Sequence, residues 1–258
     1  MSRIREAFST GKAFIPFITG GDPDIDTTEK LLYSLHKAGA DIIEIGIPFS
    51  DPIAEGPVIE AADERALRAG CTVDKLFDLV LRVRADIKVP ILFMTYYNPI
   101  FAYGIAKFVE RSAQCGLDGF IVPDLPFEER DELLEPSSAR GLELISLVAP
   151  TSEARIAQIA QNSQGFLYCV SSLGVTGERP KLGDSARHMI AQIRKITDIP
   201  CAVGFGISNP AQAREISGFA DGVIIGSAIV RIIEANGRDS VDPVFRFAQE
   251  IKRAISNG

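Results

Sequence analysis

The chain has 258 residues, 46% hydrophobic and 24% charged, a length that suits one large barrel or two small domains. Its net charge of -7 argues against a nucleic-acid or anionic-membrane binder, which needs clustered Lys and Arg, and no such cluster occurs. No run reaches the ~20 uncharged apolar residues of a membrane helix; the longest, 222–233, is interrupted by Arg231.

In chain order, apolar strand-like runs alternate with amphipathic helical stretches. AFIPFI (13–18) leads to a helix over 27–38, where Asp26 and Glu29 have capping-box spacing, Leu31, Leu32, Leu35 and Ala38 form one face, and Gly39 stops it. DIIEIG (41–46) precedes helical sequence from 59 to 86, punctuated by Gly70. PILFMT (90–95) precedes a helix near 105–115, and GFIVPD (119–124) one near 127–139. ELISLV (143–148), GFLYCV (165–170), PCAVGF (200–205) and GVIIG (222–226) continue the pattern, and a last helix near 243–256 closes the chain.

About eight β/α units match the number a closed parallel barrel requires. A weak internal repeat supports this reading: a helix ends in Gly and an Asp opens the next strand at AGADIIEIG, CGLDGFIV and SGFADGVII. The expected fold is therefore α/β, a single (β/α)8 TIM barrel with extra helices over residues 1–258. A doubly wound open sheet is the competing arrangement, and periodicity alone does not separate the two. The N-terminal MSRIREAFSTGKAF lacks a signal-type apolar stretch, and Cys71, Cys115, Cys169 and Cys201 stand singly without C-x-x-C spacing. Buried free thiols in a reducing cytoplasm fit that usage better than disulfides or a zinc site. With His36 and His188 alone, histidine-based metal or triad chemistry has little material.

Active sites of such barrels lie at the C-terminal strand ends, with phosphate often held after the seventh and eighth strands. Here those ends read GFGIS (204–208) and GSA (226–228), and LGVTG (173–177) follows the sixth. Glycines admit backbone N–H groups close to a phosphate, and Ser208 and Ser227 add hydroxyls. Gly and Ser also make ordinary turns, but three such loops at consecutive strand ends favour phosphate. The Gly- and Pro-containing connection 171–184 has the length of a lid.

Two acids stand near this end. Glu44 alternates with Ile43 and Ile45 and so points to the opposite strand face. In the barrel interior its pKa would rise, which equips it for proton exchange near neutrality. The alternative is a buried Glu satisfied by the hydroxyls of Tyr96 or Tyr168. Glu55, in SDPIAEGP between Pro52 and Pro57, is either a solvated loop acid or the second carboxylate of an acid/base pair above an apolar pocket.

The segments FIPFITGGDPD, IEIGIPFSDPIAEGPVI, YYNPIFAYG, VPDLPFEE, SLGVTGE, VGFGIS and GSAIV run from Phe14 almost to the last helix. In that order they resemble the alpha subunit of tryptophan synthase. The resemblance implies a (β/α)8 barrel that cleaves indole-3-glycerol phosphate to indole and glyceraldehyde 3-phosphate by retro-aldol chemistry, without metal or cofactor. It implies Glu44 as the acid/base at indole C3 and at the glycerol hydroxyl. It also implies a second carboxylate near the ring N–H, where positive charge develops. The family normally has Asp there, in ADGP; this chain has Ala54-Glu55-Gly56-Pro57, which keeps the carboxylate on an arm one methylene longer.

By the same matching, Gly177, Gly206, Gly226 and Ser227 hold phosphate, and Phe17, Met94, Ile121, Leu147 and Phe205 line the indole pocket. Tyr168 lies near substrate, and Thr176 is the lid threonine that closes over the second carboxylate. Ser172 stands where the family often has Arg, and Asp124 follows Pro123 rather than a small residue, a minor change at the pocket wall. The resemblance gives the 47–58 loop and the Asn98 region a second duty, contact with the pyridoxal-phosphate-containing beta subunit in an alpha2beta2 complex in the cytoplasm. Two alternatives stay open: a catalytically weak, regulatory alpha-type subunit, or another phosphate-binding barrel such as a sugar-phosphate isomerase. The latter would usually bring a catalytic Asp, Lys or Cys pair or a His set, and none is evident.

Overall fold

The computed structural model describes residues 2–152, 155–170, 184–204 and 206–256. Eight parallel strands close into a barrel: β1 (Ala13–Thr19), β2 (Ile43–Gly46), β3 (Ile91–Met94), β4 (Gly119–Ile121), β5 (Glu143–Val148), β6 (Leu167–Val170), β7 (Cys201–Gly204) and β8 (Gly222–Ile225). β8 pairs back onto β1, Ala13 opposite Gly222 and Ile15 opposite Ile224, so no sheet edge is left and the open-sheet alternative is excluded. Outward strand residues such as Phe14, Ile18, Ile43, Ile45 and Phe93 join the surrounding helices in the larger core, while Ile15, Leu92, Ile121, Ile145, Tyr168 and Ile224 fill the interior. The four cysteines are buried as free thiols. No helix among the described residues is long and apolar enough to cross a membrane.

The Gly…Asp repeat has a mechanical meaning at the barrel floor. Asp41, just ahead of β2, accepts the N–H of Phe14 in β1 at 2.7 Å. Asp118, ahead of β4, accepts that of Ile91 in β3 at 2.9 Å, and Asp221, ahead of β8, that of Cys201 in β7 at 2.9 Å. At the remaining pair, Gln164 plays the part, accepting from Leu144 in β5 at 3.0 Å. Each side chain satisfies a strand-start donor beside it, and the barrel repeats in pairs of strands. The carboxylates are neutralised by Lys252 on Asp41 (2.6 Å), Arg3 on Asp118 (2.8 Å) and Arg194 on Asp221 (3.1 Å). Arg3 lies in a short helix, Arg3–Glu6, that the periodicity did not announce; with Ile4 and Phe8 it plugs the floor, Phe8 stacking 5.5 Å from Phe166.

Helix boundaries follow local chemistry with one correction. The first long helix is Ile25–Ala38, and its cap is Asp24, not Asp26: Asp24 is extended and its carboxylate accepts the Thr27 N–H at 2.8 Å. Gly39 ends the helix in the left-handed region (φ 98°), as expected. The 59–86 stretch splits into Pro57–Arg68 and Val73–Val83, the second capped by Thr72. An extra helix, Tyr97–Tyr103, precedes Ile105–Cys115. After it come Asp131–Ala139, Ile156–Gln161, Asp184–Ile193, Pro210–Ser217, Ser227–Asn236 and Val241–Ser256.

Strand contact is tightest at Gly119, where an added Cβ would lie 2.1 Å from the Glu143 carbonyl oxygen. Because the clash is with backbone, Gly119→Ala must prise β4 from β5 and is expected to cost about 1–3 kcal/mol or more. A urea midpoint equal to wild type would contradict this.

Candidate active site

The site grows from the inward faces of the strands. Phe17 of β1 sits in register with Glu44 of β2, Met94 of β3 with Ile121 of β4, and Leu147 of β5 with Tyr168 of β6. All six therefore meet in the upper barrel. Gly46 makes room for Phe17: a Cβ there would lie 2.6 Å from the ring. Gly204 does the same for Tyr168, at 2.5 Å from its hydroxyl.

Glu44 is fully buried, and among the described residues neither carboxyl oxygen has a hydrogen-bond partner. The alternative of a Glu satisfied by Tyr96 or Tyr168 therefore fails. Tyr168 is near enough for the Glu44 charge to push its phenol further up, beyond the rise from burial, but no hydrogen bond joins them. Tyr96 is engaged elsewhere. Burial without compensation drives the Glu44 pKa well above its ordinary value, which favours the protonated carboxyl group. An unpaired carboxyl group in an apolar barrel carries a cost that packing alone does not explain.

Glu55 projects from the 47–56 loop, half-buried, with one carboxyl oxygen enclosed and unpartnered. Desolvation raises it from an ordinary 4.5 to about 7, with its own and the Ala54 N–H pulling the other way and Asp124 and Glu60 adding like-charge repulsion. The reading of a solvated loop acid does not hold. Tyr96 fixes this loop: its buried hydroxyl accepts the N–H of Ile53 at 3.0 Å and of Ala54 at 2.7 Å, and its ring lies 5.5 Å from that of Phe49. Asp124 is more than a pocket wall, since its carboxylate accepts the Tyr97 N–H at 2.9 Å and joins the ends of β3 and β4.

The loops after β7 and β8 lie on the same rim. Gly226 begins the helix Ser227–Asn236 with no side-chain cap among the described residues, and a Cβ added to it would lie 3.2 Å from the Phe17 ring, so the helix starts beside that side chain. Ser227 is exposed there. Gly206 turns with φ +81°, a conformation that favours glycine. Ser208 differs from expectation, because its N–H and hydroxyl both donate to Gln212 Oε1, at 2.8 and 3.1 Å. Thr176, Gly177, Phe205 and Ser172 lie outside the described residues. On the first loop, Asp22 is buried and bound by both Nε and Nη2 of Arg65 at 2.9 Å, while Arg65 Nη1 reaches Glu234 at 3.1 Å. That bridge ties three rim segments together and has no signature in local sequence.

The opposite end carries an open cleft of about 920 Å³ lined in part by Lys12, Arg194 and Lys252. Those three side chains are committed to the Ala220 carbonyl, Asp221 and Asp41 respectively, so the cleft belongs to the floor.

Glu55 favours its protonated form more in the fold than when unfolded, so it adds stability below about pH 4.5 that is lost as pH rises towards 7. Glu55→Gln should therefore gain stability relative to wild type across that window and level off above it. A stability difference that is flat with pH would contradict the placement of Glu55.

A closed parallel barrel of eight strands, with a buried carboxyl group of raised pKa inside it and a second at its mouth, is the architecture of a TIM-barrel enzyme. Residues 5–256 match the family model for the tryptophan synthase alpha chain. Curated alpha chains from Lacticaseibacillus casei (45% identical, 99% of this chain and 96% of that one) and Synechocystis sp. (49%, covering 95% and 94%) are similar over nearly their whole length. Among solved structures, tryptophan synthase subunit alpha from Legionella pneumophila superposes with a TM-score of 0.91 at 36% identity, each chain covered in full. A chain of Mycobacterium tuberculosis tryptophan synthase gives 0.90 at 34%, covering 100% of this chain and 99% of that one. The chain belongs to the tryptophan synthase alpha chain family.

Proposed function

We propose that the chain cleaves indole-3-glycerol phosphate to indole and glyceraldehyde 3-phosphate, as the lyase subunit of a tryptophan synthase in L-tryptophan biosynthesis. The observation that carries this reading is the fully buried Glu44 carboxyl group, its pKa raised by burial and without a hydrogen-bond partner among the described residues, at the head of an apolar barrel.

Glu44 gives its proton to indole C3, and the ring becomes a cation with its charge at nitrogen. Glu55 stabilises that charge through the ring N–H. Glu44, now a carboxylate, takes the proton of the hydroxyl on the adjoining glycerol carbon. The O–H electrons form the aldehyde, and the C–C pair returns to the ring. Indole leaves, and Glu44 ends protonated as it began.

Phe17, Met94, Ile121, Leu147 and Phe205 surround the indole, and Tyr168 borders the reacting carbon. Gly177, Gly206, Gly226 and Ser227 bind phosphate through N–H groups and one hydroxyl, and Thr176 closes over Glu55. Each step can be written with these side chains alone, so the chain needs no cofactor of its own; pyridoxal phosphate belongs to the beta subunit. The partner face is the rim where Ile53 and Phe101 are 79% and 63% exposed, large apolar side chains on the loop after β2 and the helix after β3. On this reading the chain works within an alpha2beta2 complex in the cytoplasm. Indole and glyceraldehyde 3-phosphate formed in equal amounts by the purified chain, faster with a beta subunit present, is the expected result. Tight substrate binding without either product, alone or with the partner, would overturn the reading.

A further inference from the structure

Glu55 is not the only buried acid on its side of the site. The helix Pro57–Arg68, separated from Glu55 only by its N-cap Gly56, turns Ile59, Ala62, Asp63 and Ala66 inward. That i, i+3, i+4, i+7 stripe is apolar except for one carboxyl group. Asp63 is 5% exposed, and among the described residues no Lys or Arg pairs with it. Arg65, two residues on, is committed to Asp22 and Glu234. The Asp63 Oδ2 atom accepts the N–H of Phe49 at 3.4 Å, so it grips the loop that carries Glu55. The groups around Asp63 are Glu55 above, the Thr19 hydroxyl at the end of β1, Asp22 with its Arg65, and the neutral Cys71 thiol, itself raised to about 12. None supplies a positive charge to Asp63. Two neighbouring carboxyl groups without a counter-ion cannot both ionise cheaply, and their titrations are linked.

We infer that Asp63 is a positioning residue for Glu55: it anchors the 47–56 loop through Phe49 and titrates as a pair with Glu55, so that a charge on either carboxyl group favours a proton on the other. The inference rests on the proposed role of Glu55 in the cleavage. Burial first, then the Glu55 charge, raises Asp63 to about 7, in keeping with this geometry. Asp63 contacts no reacting atom and acts through its neighbour.

The test is a carboxyl-carbon NMR titration of the full chain. In Asp63→Asn, which keeps the acceptor for Phe49 and removes the charge, the Glu55 midpoint should fall by about half a unit or more. The acid limb of kcat/KM should move to lower pH by the same amount. Asp63→Ala, which also loses the anchor, should lower kcat on the order of tenfold, with Asn restoring most of it and KM little affected. Reciprocity supplies a second measurement if Asp63→Asn does not fold: in Glu55→Gln the Asp63 midpoint should fall. Midpoints unmoved in the folded variants would overturn the inference. The NMR midpoints do not depend on turnover, so a wild-type chain with linked titrations and no indole release would sink the functional reading instead.

Discussion

Glu44→Gln is expected to lower indole release by roughly 10²–10⁴-fold while substrate affinity changes little. The amide occupies nearly the same volume in a site where the described residues offer no hydrogen-bond partner to lose, so the fold is not the casualty. What disappears is the proton for indole C3 and the base that accepts the hydroxyl proton afterwards. Because the lost interaction exists only on the way to the transition state, kcat and kcat/KM should fall together. Glu44→Gln should also be at least as stable as wild type, since the fold no longer encloses a group that resists charging. A variant that kept turnover within a few-fold would remove Glu44 from the chemistry.

Glu55→Gln should cost roughly 10²–10³-fold in kcat, the range for removing one preorganised stabiliser of developing charge. Glu55→Asp is the more informative change, because it installs the shorter acid that the resemblance implies at this position. The 47–56 loop is held by Tyr96 through two N–H groups and by Asp63 through a third, so it has little freedom to advance when the side chain shortens. A site built around Glu therefore predicts a loss, and a displacement of about 1 Å can amount to a hundredfold. A gain in turnover would show instead that the longer arm is a handicap.

The barrel was legible because its evidence is local and repeated: short apolar runs buried on both faces, helical stripes between them, and a Gly…Asp pair before strands. Even so, the sequence pattern marked Asp41, Asp118 and Asp221 without revealing their work as acceptors for the neighbouring strand, and it passed over Gln164, which does the same work with a different side chain. Glu44 was legible from the period-2 alternation alone, which fixes the face but not the partners. The hydroxyl offered to it, Tyr96, cradles the Glu55 loop, and only the three-dimensional arrangement assigns it there. The helix cap moved from Asp26 to Asp24 because both acids precede the same helical stripe and backbone geometry chooses between them. Asp63 carried a signal that could have been used, a carboxylate at a core position of an otherwise apolar stripe. The Asp22–Arg65–Glu234 bridge carried none, since Arg65 lies 43 residues from Asp22 and 169 from Glu234, and the three meet only through the fold.

The central claim is that binding and chemistry are divided: rim N–H groups and the apolar pocket hold the substrate, and Glu44 with Glu55 breaks the carbon–carbon bond. The most direct test measures, in the same preparations, the affinity for indole-3-glycerol phosphate and the single-turnover rate of indole release for wild type, Glu44→Gln and Glu55→Gln, each with beta subunit present. The account predicts affinities within a few-fold of one another, rapid release from wild type, and release from both variants slowed by about a hundredfold or more. Release at near wild-type rate from Glu44→Gln, or none from wild type that binds the substrate, would contradict it.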